Sequence, residues 1–351
     1  MAKSDSQRTS RRNLLKHAAA GAGLAAGTLL AGCGPKTKTA GEGNGSRKRL
    51  RALISNAGLQ GTWNKLGRDA AMLWGDLLDV EVVWVDGEFN GQKQRDKIEL
   101  QVDDDWDFFA VQSHQIDILE EPVKRLAKRN IPVISMDTLI VEKSRLRDVG
   151  VWLYISPDHV AMAEQSTQYM MNRIGGKGNV IHIGGQSEHS GAQDRKRGFE
   201  NVIAKYPEVK VVGGGVRWCD WKTEKARNTF DALLEQSEGP VAGAFFHNDD
   251  MAMACVPAVE GRPHEKMLFV GVDGQTTGLT GVREGKLAAT SVNPTCMIHG
   301  YSVILGQFIV RNQEKIDDVP LEIMLPSPLV SKEAGNSDAM FYLSDPKHCL
   351  L

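Results

Sequence analysis

The residues with the richest polar chemistry in this sequence come in short clusters, each directly behind an apolar run. Ser55-Asn56, Ser135-Met136-Asp137-Thr138, Gly184-Gly185-Gln186, Asn248-Asp249-Asp250, Asp273-Gly274 and Asn293-Pro294 are the clusters. An amide donates and accepts in one plane, and a carboxylate accepts from two neighbouring hydroxyls. Planar polar groups recurring in this way suit a polyhydroxyl ligand. They do not suit bond-making chemistry. Asp249 and Asp250 are adjacent, so nothing makes them converge as an acid/base pair. No Gly-x-Ser-x-Gly or His-Glu-x-x-His motif occurs. The first strand-to-helix turn, Ser55 to Gly61, lacks the Gly-x-Gly-x-x-Gly spacing of a dinucleotide site, and Gly213-Gly214-Gly215 runs into a Trp-rich segment. An exported sugar oxidoreductase is therefore the weakest reading; no catalytic residue, cofactor or metal is expected. Cys219, Cys255, Cys296 and Cys349 fit no zinc spacing and are expected to be small buried residues, with Cys349 the candidate for another role.

The elements that must carry these clusters are legible from Leu50 onward. Runs at 50–54, 81–85, 108–111, 132–136, 149–155, 180–183, 209–212, 242–246, 268–272 and 287–292 are apolar on consecutive positions, as parallel strands covered on both faces require. Between them lie helical patterns. In Thr62–Leu78 the residues Trp63, Leu66, Ala70, Leu73, Trp74 and Leu77 form one stripe, and Pro157–Met171 and Lys222–Leu234 read the same way. The alternation predicts doubly wound α/β sheets. About ten strands are too many for one comfortable sheet, so two lobes are expected, with the break near Ile155-Ser156-Pro157. Ligands of such sheets sit beyond the carboxyl ends of the strands, where the polar clusters lie.

The chain has 351 residues and a formal charge of −2. Residues 1–33 carry Lys3, Arg8, Arg11, Arg12 and Lys16 against Asp5, a net of +4, so the remainder is acidic. A mildly acidic domain gives no electrostatic reason to expect nucleic acid. Ser10-Arg11-Arg12-Asn13-Leu14-Leu15-Lys16 resembles a twin-arginine export motif. An apolar stretch from Ala18 to Ala31 follows, too short for a settled membrane span. It ends in Leu30-Ala31-Gly32-Cys33, which resembles a bacterial lipobox, with Cys33 the expected lipidation site. Residues 34–48 read as a flexible tether.

Three stretches, Ala244-Phe245-Phe246-His247-Asn248-Asp249-Asp250-Met251-Ala252, Phe269-Val270-Gly271-Val272-Asp273-Gly274 and Gly285-Lys286-Leu287-Ala288-Ala289-Thr290, resemble the ribose/galactose-type periplasmic sugar-binding proteins in order and spacing. The resemblance runs from about Leu50 to Leu325. It implies the type 1 periplasmic-binding fold, with two Rossmann-like lobes joined by a three-crossover hinge and a monosaccharide in the cleft. The lobes are then expected at 49–155 plus 294–322 and at 156–293 plus 323–351, with the later crossovers near Asn293 and Leu321–Leu325. The implied role is that of the binding component of an ABC-type sugar importer, a lipid-anchored monomer in the cell envelope, periplasmic or extracellular, that passes its ligand to a membrane permease. The alternative is a receptor for a signalling furanose or sugar, coupled to a sensor kinase. Repressors share the fold, but they need a DNA-binding segment where this chain has its export signal.

The resemblance also carries over ligand positions. Trp63 and Trp221 match aromatic positions, one per lobe, whose rings sandwich the C–H face of a sugar; Trp63 also lies on the apolar stripe of its helix, so core packing competes. Arg195 matches an arginine whose rigid fork of donors meets sugar oxygens, with Arg197 the nearby confusion. Asn248, Asp273 and Asn293 match polar ligands at strand ends, and for Asp273 a helix cap is the competing role. Asp137 orients the ligand or caps the next helix. His189 and Gln60 match ligands of galactose-type and ribose-type members. Thr138 stands where ribose-binding members carry arginine. Together with Trp221, that difference favours a pyranose over ribose.

Overall fold

The computed structural model describes residues 48–344 and His348. The export signal, Cys33, the tether as far as residue 47, and Cys349 lie outside the described residues. The chain opens with β1 (Leu50–Asn56), α1 (Thr62–Leu78), β2 (Val80–Asp86), α2 (Gly91–Glu99) and β3 (Phe108–Val111). It continues with α3 (Glu120–Lys128), β4 (Val133–Met136) and β5 (Val151–Pro157). Next come α4 (His159–Ile174), β6 (Gly178–Gly184), α5 (Ser190–Ile203), β7 (Val209–Val211), β8 (Arg217–Trp218) and α6 (Thr223–Gln236). After these are β9 (Val241–Phe246), α7 (Asp249–Cys255), β10 (Leu268–Asp273), α8 (Thr276–Glu284) and β11 (Ala289–Val292). The last elements are α9 (Thr295–Asn312), β12 (Glu322–Leu325), β13 (Leu329–Ser331) and α10 (Ser337–Leu343).

The strands form two sheets with one topology. The first runs β2-β1-β3-β4-β5-β12 and the second β7-β6-β9-β10-β11-β13, with β8 beside β6. All pairings are parallel except β11 with β13. The unbroken apolar runs follow from this. In β3 and β4 every residue is buried, because helices cover both faces. Each sheet has an apolar core on either side. Phe109 and Leu119 stand against Phe108 and Ile298 in the first lobe, and Phe230 and Phe246 against Phe199 and Phe245 in the second.

The chain passes between the lobes three times. Pro157 ends β5, and Asp158 starts α4 by accepting from the Ala161 amide at 2.9 Å. The sequence pattern began this helix at Pro157, two residues early. After β11 the chain returns to the first lobe as α9, which lies against α1. There a Cβ on Gly67 would meet the His299 ring at 2.3 Å, and one on Gly300 would meet Trp74 at 2.7 Å. The third passage follows β12. Because β12 pairs with β5, Ile323–Leu325 belong to the first lobe, and the expected division at 322/323 moves to the segment after Leu325. The apolar-run criterion missed β8, β12 and β13, which are two to four residues long and partly exposed.

Helices α4 and α5 meet through Gly198. A Cβ there would come within 2.4 Å of the Val160 carbonyl oxygen and 2.8 Å of the Ala163 methyl. Gly198→Ala is expected to lower stability by about 1–3 kcal/mol through overpacking, measured as a fall in the thermal unfolding midpoint. An unchanged midpoint would show that the helix pair can separate freely.

Candidate functional site

Both sheets reverse their strand order around the first strand of the lobe, β1 or β6, and the segments leaving the strand ends face one another across a cavity of about 460 Å³. The first lobe contributes Gln60 and Trp63 at the start of α1, Glu88 and Phe89 behind β2, Gln112 behind β3, and Asp137 behind β4. The second contributes His189 and Arg195 from α5, Trp221 before α6, Asn248 and Asp250 at α7, and Asp273 and Gln275 between β10 and α8. Asn293, at the second crossover, closes the back. Backbone amides of one lobe reach the other, Leu139 to Ser190 Oγ at 2.9 Å and Ile116 to the Glu188 carbonyl at 3.3 Å, so the lobes are closed over the cavity.

A buried polar network forms the floor. Asp137 accepts from Gln112 Nε2 at 3.0 Å and from Asn293 Nδ2 at 2.9 Å, and lies 3.2 Å from His159 Nε2. His159, the first residue of α4, also approaches Arg195 Nη2 at 3.4 Å. Arg195 donates from Nη2 to Asp273 at 2.7 Å and from Nη1 to the His247 carbonyl. Arg195 Nε and Asn293 Oδ1 are buried without a partner, which leaves one donor and one acceptor at the cavity wall. Burial opposes the charge on Asp137, but the bond and field of His159 and the Arg195 charge prevail and hold its carboxyl well below the ordinary range. For Asp273, burial and the field of Asp137 outweigh the ion pair with Arg195, and its carboxyl is raised.

The aromatic walls have distinct supports. Trp63 is buried at 6% exposure and anchored by Nε1 donating to the Asn293 carbonyl at 3.0 Å, so it is at once core and cavity wall. Trp221 packs over Gly185, where a Cβ would meet its ring at 2.2 Å, and stands edge-on to His189 at 5.1 Å between centroids. The Arg195 guanidinium lies 5.7 Å from its ring centre. Five cavity residues, Glu88, Phe89, Asp137, Trp221 and Asp273, hold φ between 49° and 103°. Such conformations cost about 1–3 kcal/mol each in a non-glycine residue and persist where surrounding contacts enforce them.

Of the ten ligand positions expected from sequence, nine line this cavity: Gln60, Trp63, Asp137, His189, Arg195, Trp221, Asn248, Asp273 and Asn293. Thr138 does not. It is fully buried, and its hydroxyl donates to the Ser113 carbonyl at 2.7 Å, so it braces the strand-end loop and carries no information on ring size. Asp137 caps no helix: the short 3-10 turn that follows β4, Lys143–Arg145, is preceded by Glu142, and the Asp137 carboxylate is spent on the floor network. Arg197 pairs with Asp194 on the surface. His189 and Asn248 also cap α5 and α7, accepting from Ala192 and Met251 amides. The sequence reading named Asp250 only within a strand-end cluster and missed Phe89, Gln112, Gln275 and His159. The first three of these follow strands, the same signal that singled out the others; His159 has no such signal. Cys219, Cys255 and Cys296 are buried, as expected.

This chain belongs to the periplasmic binding protein family: the family described as periplasmic binding protein domain matches residues 53–304. Among curated proteins it is 26% identical over 316 residues to the xylitol-binding protein of Mycolicibacterium smegmatis, covering 90% of this chain and 84% of that one. It is 24% identical over 258 residues to the ribose import binding protein of Escherichia coli, covering 74% and 84%. A crystal structure from Mycobacterium smegmatis in complex with β-D-fucofuranose superposes with a TM-score of 0.76 at 19% identity, over 86% of this chain and 97% of that one.

Around and beneath the cavity lie imidazoles that burial keeps neutral. His189 and His182 are lowered to about 3, and His114 and His299 to about 4. His189 Nδ1 accepts from Ala192, so its proton sits on Nε2. His247 Nδ1 accepts from Gly185, and its Nε2 meets His182 Nε2 at 2.9 Å. These groups have folded pKa values below the unfolded 6.5, so the unfolded chain binds more protons as pH falls. Their contribution is complete above pH 6.5 and is lost progressively as pH falls through the lowered folded values. The unfolding midpoint is therefore expected to drop steeply from pH 7 to pH 5, measured by scanning calorimetry; a flat profile would contradict neutral burial.

Proposed function

We propose that this protein is the ligand-capturing component of an ABC-type importer, and that its ligand is an uncharged monosaccharide held between the lobes and released to a membrane permease. The observation that carries the reading is the cavity wall. It sets the rings of Trp63, Trp221 and Phe89 beside planar polar groups from both lobes, with Arg195 Nε and Asn293 Oδ1 unsatisfied. Apolar sugar faces lie on rings, and hydroxyls pair with amide, guanidinium and carboxylate edges.

Charge narrows the class. Glu88, Asp137, Glu224, Asp250 and Asp273 line the cavity against Arg195 and Lys222. A sugar phosphate or sugar acid would enter a field of its own sign, whereas a neutral polyol brings hydroxyl donors to an acceptor-rich wall. The names of the xylitol-binding and ribose-import relatives agree with that class. Binding selects the closed arrangement, because only there do groups of both lobes reach one ligand. The twin-arginine run and the lipobox at Cys33 support a domain exported to the cell envelope and tethered by lipid.

A thermal-shift screen of the purified protein against pyranoses, furanoses and alditols is expected to find a stabilising ligand, since a molecule that binds only the folded state raises its midpoint. Silence across the panel would count against the reading. For the ligand found, Asp273→Asn is expected to weaken binding about tenfold or more, from about 1.5–3 kcal/mol per lost hydrogen bond to a charged group. Trp221→Ala is expected to weaken binding and to remove the share of the ligand-dependent tryptophan fluorescence that this ring reports; full affinity and full signal would exclude the ring from the site.

A further inference from the structure

We propose that Thr62 and Asp250 form a latch between the lobes that sets how long the cleft stays shut, with Thr62 taking no part in lining the ligand cavity. Thr62 is the first residue of α1 in the first lobe, and its hydroxyl donates to Asp250 Oδ2, in the first turn of α7 in the second lobe, at 2.8 Å. The receiving carboxylate is set in advance. Gln275 donates from Nε2 to the same oxygen at 3.1 Å, while Gln275 Oε1 accepts from the Asp250 amide at 2.8 Å. Thr277 Oγ1 holds the other oxygen at 2.7 Å. All three fixing groups belong to the second lobe, so the carboxylate keeps its aim whether the lobes are open or shut.

The first lobe is prepared for it. The residue before α1 is Gly61, which offers no side-chain cap, and the first turn carries no acid. The positive end of a 17-residue helix therefore takes no charge from its own first turn, and gains the Asp250 carboxylate when the second lobe swings in. A contact made only in the closed state raises the closed fraction and tightens apparent affinity without touching the ligand. Thr62 is exposed and absent from the wall of the ligand cavity, so it is a positioning residue.

The inference rests on the proposed function only in taking a sugar or polyol as the closing ligand. D-ribose, D-galactose and xylitol serve as probes in stopped-flow binding to the full protein. Thr62→Val, which keeps the shape and removes the donor, is expected to speed release about fivefold or more, with association changed less than about twofold. Thr62→Ser is expected to restore slow release. In a double-mutant cycle with Asp250→Asn, the paired variant is expected to release no faster than Asp250→Asn alone. Unchanged release in Thr62→Val, or losses that simply add, would overturn the latch. If wild type binds none of the probes, the sugar reading fails. The latch is then judged on the ligand-free protein carrying one fluorophore per lobe: a smaller closed fraction in Thr62→Val supports it, and an equal fraction refutes it.

Discussion

A carboxylate placed at the seam between two bodies must be satisfied by both, and Asp137 is such a group. Its oxygens are held by Gln112 from the first lobe, Asn293 from the crossover and His159 at the start of the second, with Arg195 one bond and Asp273 two bonds further on. Removing one partner would leave a buried charge uncompensated, which costs far more than the bond itself contributes. The strand ends of both lobes are thereby brought to a common level. The cavity inherits its depth from that floor, and the aromatic walls gain a fixed distance from it.

The second lobe supplies the more rigid half of the wall. Trp221 is pinned by the absence of a side chain at Gly185, and Asp273 by its bond to Arg195. Positive φ at Trp221, Asp273, Asp137, Glu88 and Phe89 shows backbone conformations that cost free energy, concentrated where side chains converge. Part of the binding energy is thus invested during folding, so the wall has little left to order when a ligand arrives.

Much of this arrangement was legible in the sequence. Strands buried on both faces announce themselves by consecutive apolar residues, and the polar residue that ends such a run has only the cleft to face; that rule located Asp137, Asn248, Asp273 and Asn293. It failed where local pattern and tertiary role part company. Thr138 sits in a strand-end cluster yet turns inward to Ser113. Phe89 and Gln112 stood behind their strands without a family position to mark them. His159 owes its place to the angle at which α4 leaves Pro157, which only the packed lobes define. The edge strands β12 and β13 are short and half exposed, so they carry no apolar signature. Trp63 was read both as core and as wall, and the structure gives it both roles at once.

The order of the chain through the lobes has a consequence for its biogenesis. The second lobe is nearly continuous, from α4 to β11, and can begin to assemble as soon as that stretch has emerged. The first lobe cannot. Its helix α9 and edge strand β12 come from the last sixth of the chain, and Glu322 pairs beside Tyr154, so its sheet stays unfinished until late in synthesis. Closing so long a loop is slow. A nascent chain therefore carries one lobe that lacks only its edge strand β13 and one with an open apolar flank, and it is in that interval that a chaperone would find the most to hold.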